Sequence, residues 1–393
     1  MADKQLGIVS DSPLHKSTLA KAVAECGLSV AINTSPDRIT SEEMADESIE
    51  GWIVDLADED KWADFLDEFL DTATVPLLFG EGEVPAFNSS DFKRWQKRFN
   101  KKLESLFDIP VVSALSGIAV TTPTATESPM QLESSDVEAP PVITRALDSE
   151  VIVEGGSLGG QPTKSRISLP ANIKTKAVKG TPAQYIWVLG ASLGGPGAVK
   201  RFLDVLPEGL PVGFVYAQHI DNNFLPVLTQ VLGRHSVYDM KPCSHKRKVG
   251  VGEVHIVPVN HQIQCNAQDG IVFLHNRRWQ GLYNPAISSV MKELVNAYGP
   301  DSGSIIFSGM GEDATEGAIA MADAGAEVWV QKLSTCASAS MPESVLGTGR
   351  CTFQGTPEEL AEKLVQYIAA KHQDAVRIDD NHEISIDDPI YPF

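Results

Sequence analysis

This sequence predicts an α/β protein with two doubly wound, three-layer domains, each a parallel sheet covered by helices on both faces. Three observations carry that prediction. Short apolar runs alternate with helix-period stretches in both halves of the chain, the pattern of repeated strand–helix–strand units. A stretch rich in Thr, Ser, Pro and Gly, residues 109–183, separates the halves, and a 75-residue irregular segment inside one compact domain is improbable. The chain has 393 residues and is 42% hydrophobic, enough for two cores. The expected organisation is therefore 1–108, a flexible linker over 109–183, a second domain over 184–372 and an acidic tail over 373–393.

In the first half, Leu6-Gly7-Ile8-Val9 reads as a strand, and Leu14, Leu19 and Val23 follow at helical spacing. A second strand falls near 28–32. Trp52-Ile53-Val54 ends at Asp55, and 75–79 makes a further strand. Between 41 and 71 there are 13 acids against the single Lys61, which reads as a solvated face.

The second half opens with the apolar run 185–189, followed by Gly190-Ala191-Ser192-Leu193-Gly194-Gly195 and a helical pattern at Val199, Phe202, Leu203 and Leu206. That spacing puts Ser192 on a tight strand-to-helix turn, a position suited to a nucleophile. Glycines let the backbone bend sharply, and the N–H groups opening the helix are suited to stabilising an oxyanion. The pattern fits G-x-S-x-G and neither a dinucleotide fingerprint nor a P-loop. A near copy at 155–160 lacks a following amphipathic helix and reads as linker.

A serine nucleophile needs a base and a group to orient that base. The run 212–217 ends at Gln218-His219, and the run 304–307 leads into Ser308-Gly309-Met310-Gly311-Glu312-Asp313. If these strands are parallel neighbours, Ser192, His219 and Asp313 meet at the carboxyl edge of one sheet, where open α/β sheets bind ligands. Each partner alone also has a plain reading: a strand-end histidine is commonly structural, and Asp313 suits a helix cap. The order Ser, His, Asp disfavours an α/β-hydrolase.

These residues resemble the C-terminal domain of the chemotaxis receptor protein-glutamate methylesterases of the CheB type, over about 185–372. The family's G-A-S-x-G-G, Q-H and T-G-M-G-x-D-G-A-x-G motifs read here as 190–195, Gln218-His219 and 308–317. Its G-M-P resembles Ser340-Met341-Pro342, and its P-G-x-V-Y-I-A-P segment resembles 251–258. The resemblance implies a glutamyl methyl ester on a chemoreceptor coiled coil as substrate, Ser192 as nucleophile, His219 as base and then acid, and Asp313 as its orienting partner. Backbone N–H groups near Leu193 and Met310 are the implied oxyanion donors. No cofactor or metal is called for. Three positions depart from the family: Leu193 is apolar where a small hydroxyl residue is usual, Ala314 replaces a glycine, and Asn284-Pro285-Ala286-Ile287 stands for Arg-Pro-Ser-Val.

The first half resembles a response-regulator receiver, whose V-D-D-S-P reads Val9-Ser10-Asp11-Ser12-Pro13, with Asp55 at the phosphoacceptor position. Ser10 replaces an acid, Gly80 stands for the usual Thr/Ser, and no Lys-Pro follows, which makes the site degenerate. Asp55 is also readable as an ordinary strand-end carboxylate; if it is a phosphoacceptor, Lys93 is a candidate for the missing cation, and a chemosensory histidine kinase is an implied partner.

Net charge of −20 argues against nucleic-acid binding and gives no general attraction to acidic receptor helices, so recognition requires a local surface. No apolar stretch reaches membrane-spanning length and no signal peptide opens the chain, which predicts a cytoplasmic protein without membrane insertion. Cys26, Cys243, Cys265, Cys336 and Cys351 form no C-x-x-C and read as reduced thiols; Cys336 lacks a paired base. His255, His261 and Cys265 match no zinc spacing. The leading reading is a methylesterase; a receptor glutamine deamidase, an esterase-fold adaptor without turnover, and a nucleotide site at 190–195 are its rivals.

Overall fold

Alternating strands and helices build the N-terminal layer: β1 (Gln5–Ser10), α1 (Pro13–Glu25), β2 (Ser29–Thr34), α2 (Ser41–Met44), β3 (Gly51–Asp55), α3 (Ala63–Thr72), β4 (Leu77–Phe79) and α4 (Phe92–Phe107). The computed structural model describes residues 5–56, 60–73, 75–80, 84–87, 89–107, 166–171, 173, 177–220, 222–274, 277–280 and 283–382. Local chemistry sets the starts of helices here. The Ser12 side chain accepts from the His15 N–H with Pro13 in the first turn of α1, and Thr40 and Glu43 form a reciprocal capping box on α2. The sheet is parallel in the order β2-β1-β3-β4. It reproduces the start of the flavodoxin-like order 2-1-3-4-5, and among the described residues the fifth strand is missing.

The second layer runs β5 (Tyr185–Ala191), α5 (Gly195–Val205), β6 (Val212–Gln218), α6 (Leu225–Gly233), β7 (Asp239–Pro242), β8 (Glu253–Ile256), β9 (Gln262–Asn266), β10 (Gly270–Leu274), α7 (Ile287–Tyr298), β11 (Ser302–Ile306), α8 (Thr315–Asp323), β12 (Glu327–Gln331), α9 (Ser340–Gly347), β13 (Phe353–Gly355) and α10 (Pro357–His382). Seven parallel strands lie in the order β13-β12-β11-β5-β6-β8-β7, and β9 pairs with β10 as an antiparallel ribbon. Both faces are covered. Phe202, Leu203, Val227, Leu228 and Leu364 from α5, α6 and α10 fill one side, and Val290, Leu294, Ala318, Met321 and Val345 from α7, α8 and α9 fill the other. The central strands are accordingly buried on both faces, and β5 and β6 read as largely apolar runs, while β11 buries Ser302 and Ser304 beside its isoleucines.

The two layers share a core. Trp52, Phe65, Leu66 and Phe69 of the first belong to the same apolar cluster as Ala198, Phe202 and Val231 of the second, and Phe79 packs on Phe224 at 4.5 Å between ring centroids. At this junction Lys200, 2% exposed, reaches Asp71 at 2.8 Å, Asp204 at 3.2 Å and Asp67 at 3.5 Å. Burial opposes its charge, and the three carboxylates outweigh burial and raise its pKa. His235 Nε2 meets Asp67 at 2.7 Å and Arg234 pairs with Asp64. The acidic stretch 41–71, expected to be a solvated face, thus supplies part of this docking surface: α3 is amphipathic, and its carboxylates lie opposite the cations of α5 and α6.

Residues 108–165 of the expected linker, with the glycine-rich copy at 155–160, lie outside the described residues. Its final part is docked: the Ile167 N–H donates to Val205 O at 2.8 Å, the Ala177 N–H donates to Gly209 O at 3.1 Å, and Ile173 is buried. α10 continues through 382, so helix occupies the first part of the segment read as an acidic tail.

Candidate active site

Strands β11, β5 and β6 are adjacent, and their ends are level: Ile306 pairs with Gly190, and Gly190 with Ala217. Ser192 follows β5, His219 follows β6, and Asp313 lies in the loop after β11. All three leave the carboxyl edge where the strand order reverses, the position at which such sheets form crevices.

Backbone geometry explains the glycines. Gly194 caps α5 at φ 73°, and a Cβ there would fall 2.4 Å from Ala337 Cβ and 2.9 Å from Ser308 Oγ. A Cβ on Gly195 would lie 2.6 Å from Ala191 Cβ and 2.7 Å from Gln218 Oε1. Buried amides then fix the turn. Gln218 Nε2 donates to Ser192 O at 2.8 Å while its Oε1 accepts from Tyr216 OH at 2.6 Å, and the Ser192 N–H donates to Ser308 O at 3.1 Å. Ser308 Oγ donates to Leu193 O at 2.7 Å, and Gln331 Oε1 accepts from the Ser308 N–H at 2.8 Å. The sequence marks Gln218 only as half of the Gln-His pair that closes a strand and leaves Gln331 unread; the signal is a polar residue closing an otherwise apolar run.

Asp313 accepts four hydrogen bonds: from His219 Nε2 at 3.0 Å, the Ile287 N–H at 2.7 Å, the Ser288 N–H at 3.0 Å and the Ala314 N–H at 2.8 Å. Burial pushes its carboxyl pKa up, but His219 and the backbone donors outweigh burial and hold it below the usual value. The carboxylate accepts from the first two N–H groups of α7 while it also holds His219 Nε2, so Asp313 has the contacts that a helix cap and an imidazole partner each require. With Nε2 on Asp313, Nδ1 is the ring nitrogen left for proton transfer. Among the described residues no hydrogen bond joins His219 to Ser192 Oγ.

The N–H groups of Leu193 and Met310 find no acceptor within the described chain, so both remain available as donors. Ala314 has φ 80°, the left-handed conformation that the family's glycine would adopt freely. Leu193 packs against the apolar cluster of the N-terminal layer, which accounts for an apolar residue beside the serine. Tyr283, unread in the sequence, stacks on His219 with centroids 5.0 Å apart and planes 10° apart. Burial pushes the Cys336 thiol to about 12, unsuited to a thiolate nucleophile at neutral pH.

At the end of β3, Asp55 accepts from Ser10 Oγ at 3.0 Å and pairs with His15 Nδ1 at 2.9 Å. Burial raises its pKa despite both partners. The side chain beside Asp55 is thus the His15 imidazole, and Lys93 is exposed on α4. His255 Nε2 contacts Glu253 at 2.8 Å, and no cluster of metal-ligating side chains occurs among the described residues.

Residues 187–364 match the family model described as CheB methylesterase. The chain is 27% identical over 212 residues to a protein-glutamate methylesterase/protein-glutamine glutaminase of Saccharophagus degradans, covering 53% of this chain and 58% of that protein. It is 27% identical over 230 residues to the protein of that name from Thermotoga maritima, covering 58% and 64%. The matches thus span about three fifths of the length of these relatives. The crystal structure of the Thermotoga maritima CheB methylesterase catalytic domain is 27% identical and matches 47% of this chain and 98% of that chain, with a TM-score of 0.45. The second layer is therefore similar in sequence to proteins named as carboxylic ester hydrolases.

Proposed function

We propose that this protein hydrolyses glutamyl methyl esters on a chemoreceptor, releasing methanol, with Ser192, His219 and Asp313 as catalytic residues. The observation that carries this reading is the level termination of β11, β5 and β6, which gathers the three side chains at one edge. Ser192 Oγ attacks the ester carbonyl while His219 Nδ1 takes its proton, and the oxyanion is held by the N–H groups of Leu193 and Met310. Collapse expels methanol, which takes the proton from the imidazolium; water then attacks the acyl carbon as it loses a proton to His219, and collapse frees Ser192, whose oxygen takes that proton back while the glutamic acid product ionises in solvent. Asp313 supports the imidazolium throughout. A glutamine side chain fits the same steps with ammonia leaving, and the relatives' names include that activity.

In the same reading the N-terminal layer is a degenerate receiver that acts through its contact with the serine turn at Leu193 rather than through Asp55 phosphorylation. Methanol release from a methylated receptor fragment, compared between the native chain and Ser192→Ala, tests the catalytic proposal. Equal release from both folded proteins rejects it.

A further inference from the structure

In a chain of net charge −20, α4 carries six Lys or Arg and one Glu in 16 residues. Phe92, Trp95, Phe99 and Leu103 are buried in the N-terminal cluster, so the spacing of the helix turns Lys93, Arg94, Lys97 and Arg98 to solvent as one face. None of these four forms an ion pair among the described residues, whereas Lys200, Arg234 and His235 at the layer junction are all paired. The cluster that buries the apolar face of α4 is also the one against which Leu193 packs, next to Ser192. One apolar cluster thus packs against Leu193 and buries the inner side of α4, with the basic face on the opposite side of the helix.

We infer that the exposed face of α4 docks the acidic, glutamate-bearing segment of the protein substrate. The inference rests on the esterase reading for the identity of the occupant. Hydrolysis of a glutamyl ester creates a carboxylate, so the segment bearing the ester becomes more negative with each turnover, and an acidic enzyme repels it. Attraction must then come from a local patch acting within about 8 Å at physiological salt. Four unpaired cations on one helix face fulfil that requirement, and they explain how an acidic protein recognises an acidic partner.

The test uses the full chain and a fluorescein-labelled, glutamate-rich helical peptide carrying one glutamyl methyl ester. Binding is followed by anisotropy in the Ser192→Ala background, so that it needs no turnover. Lys93→Glu/Arg94→Glu/Lys97→Glu/Arg98→Glu is expected to weaken binding about tenfold or more, and added salt to erase the difference. The swap Lys93→Arg/Arg94→Lys/Lys97→Arg/Arg98→Lys is expected to keep native affinity. Equal affinity of the charge-reversed chain overturns the inference. So does tighter peptide binding after removal of residues 373–393, which would make the chain's own tail the occupant, or a reversal that abolishes binding to anionic vesicles and spares the peptide. Peptide binding through α4 without methanol release would reject the esterase reading and leave the docking surface standing.

Discussion

The imidazole of His219 lies nearly parallel to the ring of Tyr283, with 5.0 Å between centroids, while its Nε2 is held by Asp313. A ring fixed at one edge and one face has little freedom to swing from the serine. Tyr283→Ala is expected to lower kcat for methanol release by roughly ten- to hundredfold, with Tyr283→Phe close to native. Equal losses in both variants would mean that the hydroxyl, not the stacked face, matters.

Ser192 and His219 should behave as one unit. Ser192→Ala and His219→Ala are each expected to remove nearly all turnover, and the double variant to cost little more than either. Asp313→Asn should retain part of the activity, because it perturbs the tautomer without deleting the base. Rate losses that multiply in the double variant would show independent action.

Ala314 sits at φ 80° with its methyl fully buried. Left-handed backbone costs an alanine about 1–2 kcal/mol, and the buried methyl contributes about 0.8 kcal/mol in the other direction. Ala314→Gly is thus expected to stabilise the protein by up to about 1 kcal/mol, read from denaturant midpoints at constant m. A loss of more than about 1 kcal/mol would place the greater weight on packing.

Glu253 is 1% exposed and accepts from Lys241 Nζ at 2.6 Å, Arg247 Nη2 at 2.8 Å and His255 Nε2 at 2.8 Å. Burial pushes its pKa up, and these partners overcome burial and bring it from 4.5 to about 2. A depressed carboxyl contributes stability that is present above its unfolded value and lost as pH falls through the folded one. Acid unfolding should therefore draw on this group between about pH 4.5 and 2, and Glu253→Gln should cost on the order of 3 kcal/mol at pH 7 with a flatter acid limb. An unchanged acid limb would exclude it.

Asp55 has the opposite sign. Its raised pKa means that the folded state holds the proton more tightly, so its contribution is largest below 3.8 and declines as pH rises through the folded value. Asp55→Asn is expected to keep stability at pH 7, and Asp55→Ala to change esterase activity less than deletion of 1–108. Small-molecule phosphodonors should leave little acyl-phosphate on the native chain, because His15 and Ser10 already occupy the carboxylate. Strong Asp55-dependent labelling with a matching rise in methanol release would restore a phosphorylation switch.

Sequence by itself determined the α/β class and the strands that lead into Ser192, His219 and Asp55, because apolar periodicity and glycine sterics act over a few neighbouring residues. Tertiary structure decided what depends on distant segments. It brought β11 beside β5, so that an aspartate 121 positions beyond Ser192 meets His219. It turned the acids of α3 onto Lys200, set Tyr283 against the histidine ring, and gave Asp55 a histidine partner. These contacts join residues far apart in the chain; packing and burial select them, and no local pattern encodes them.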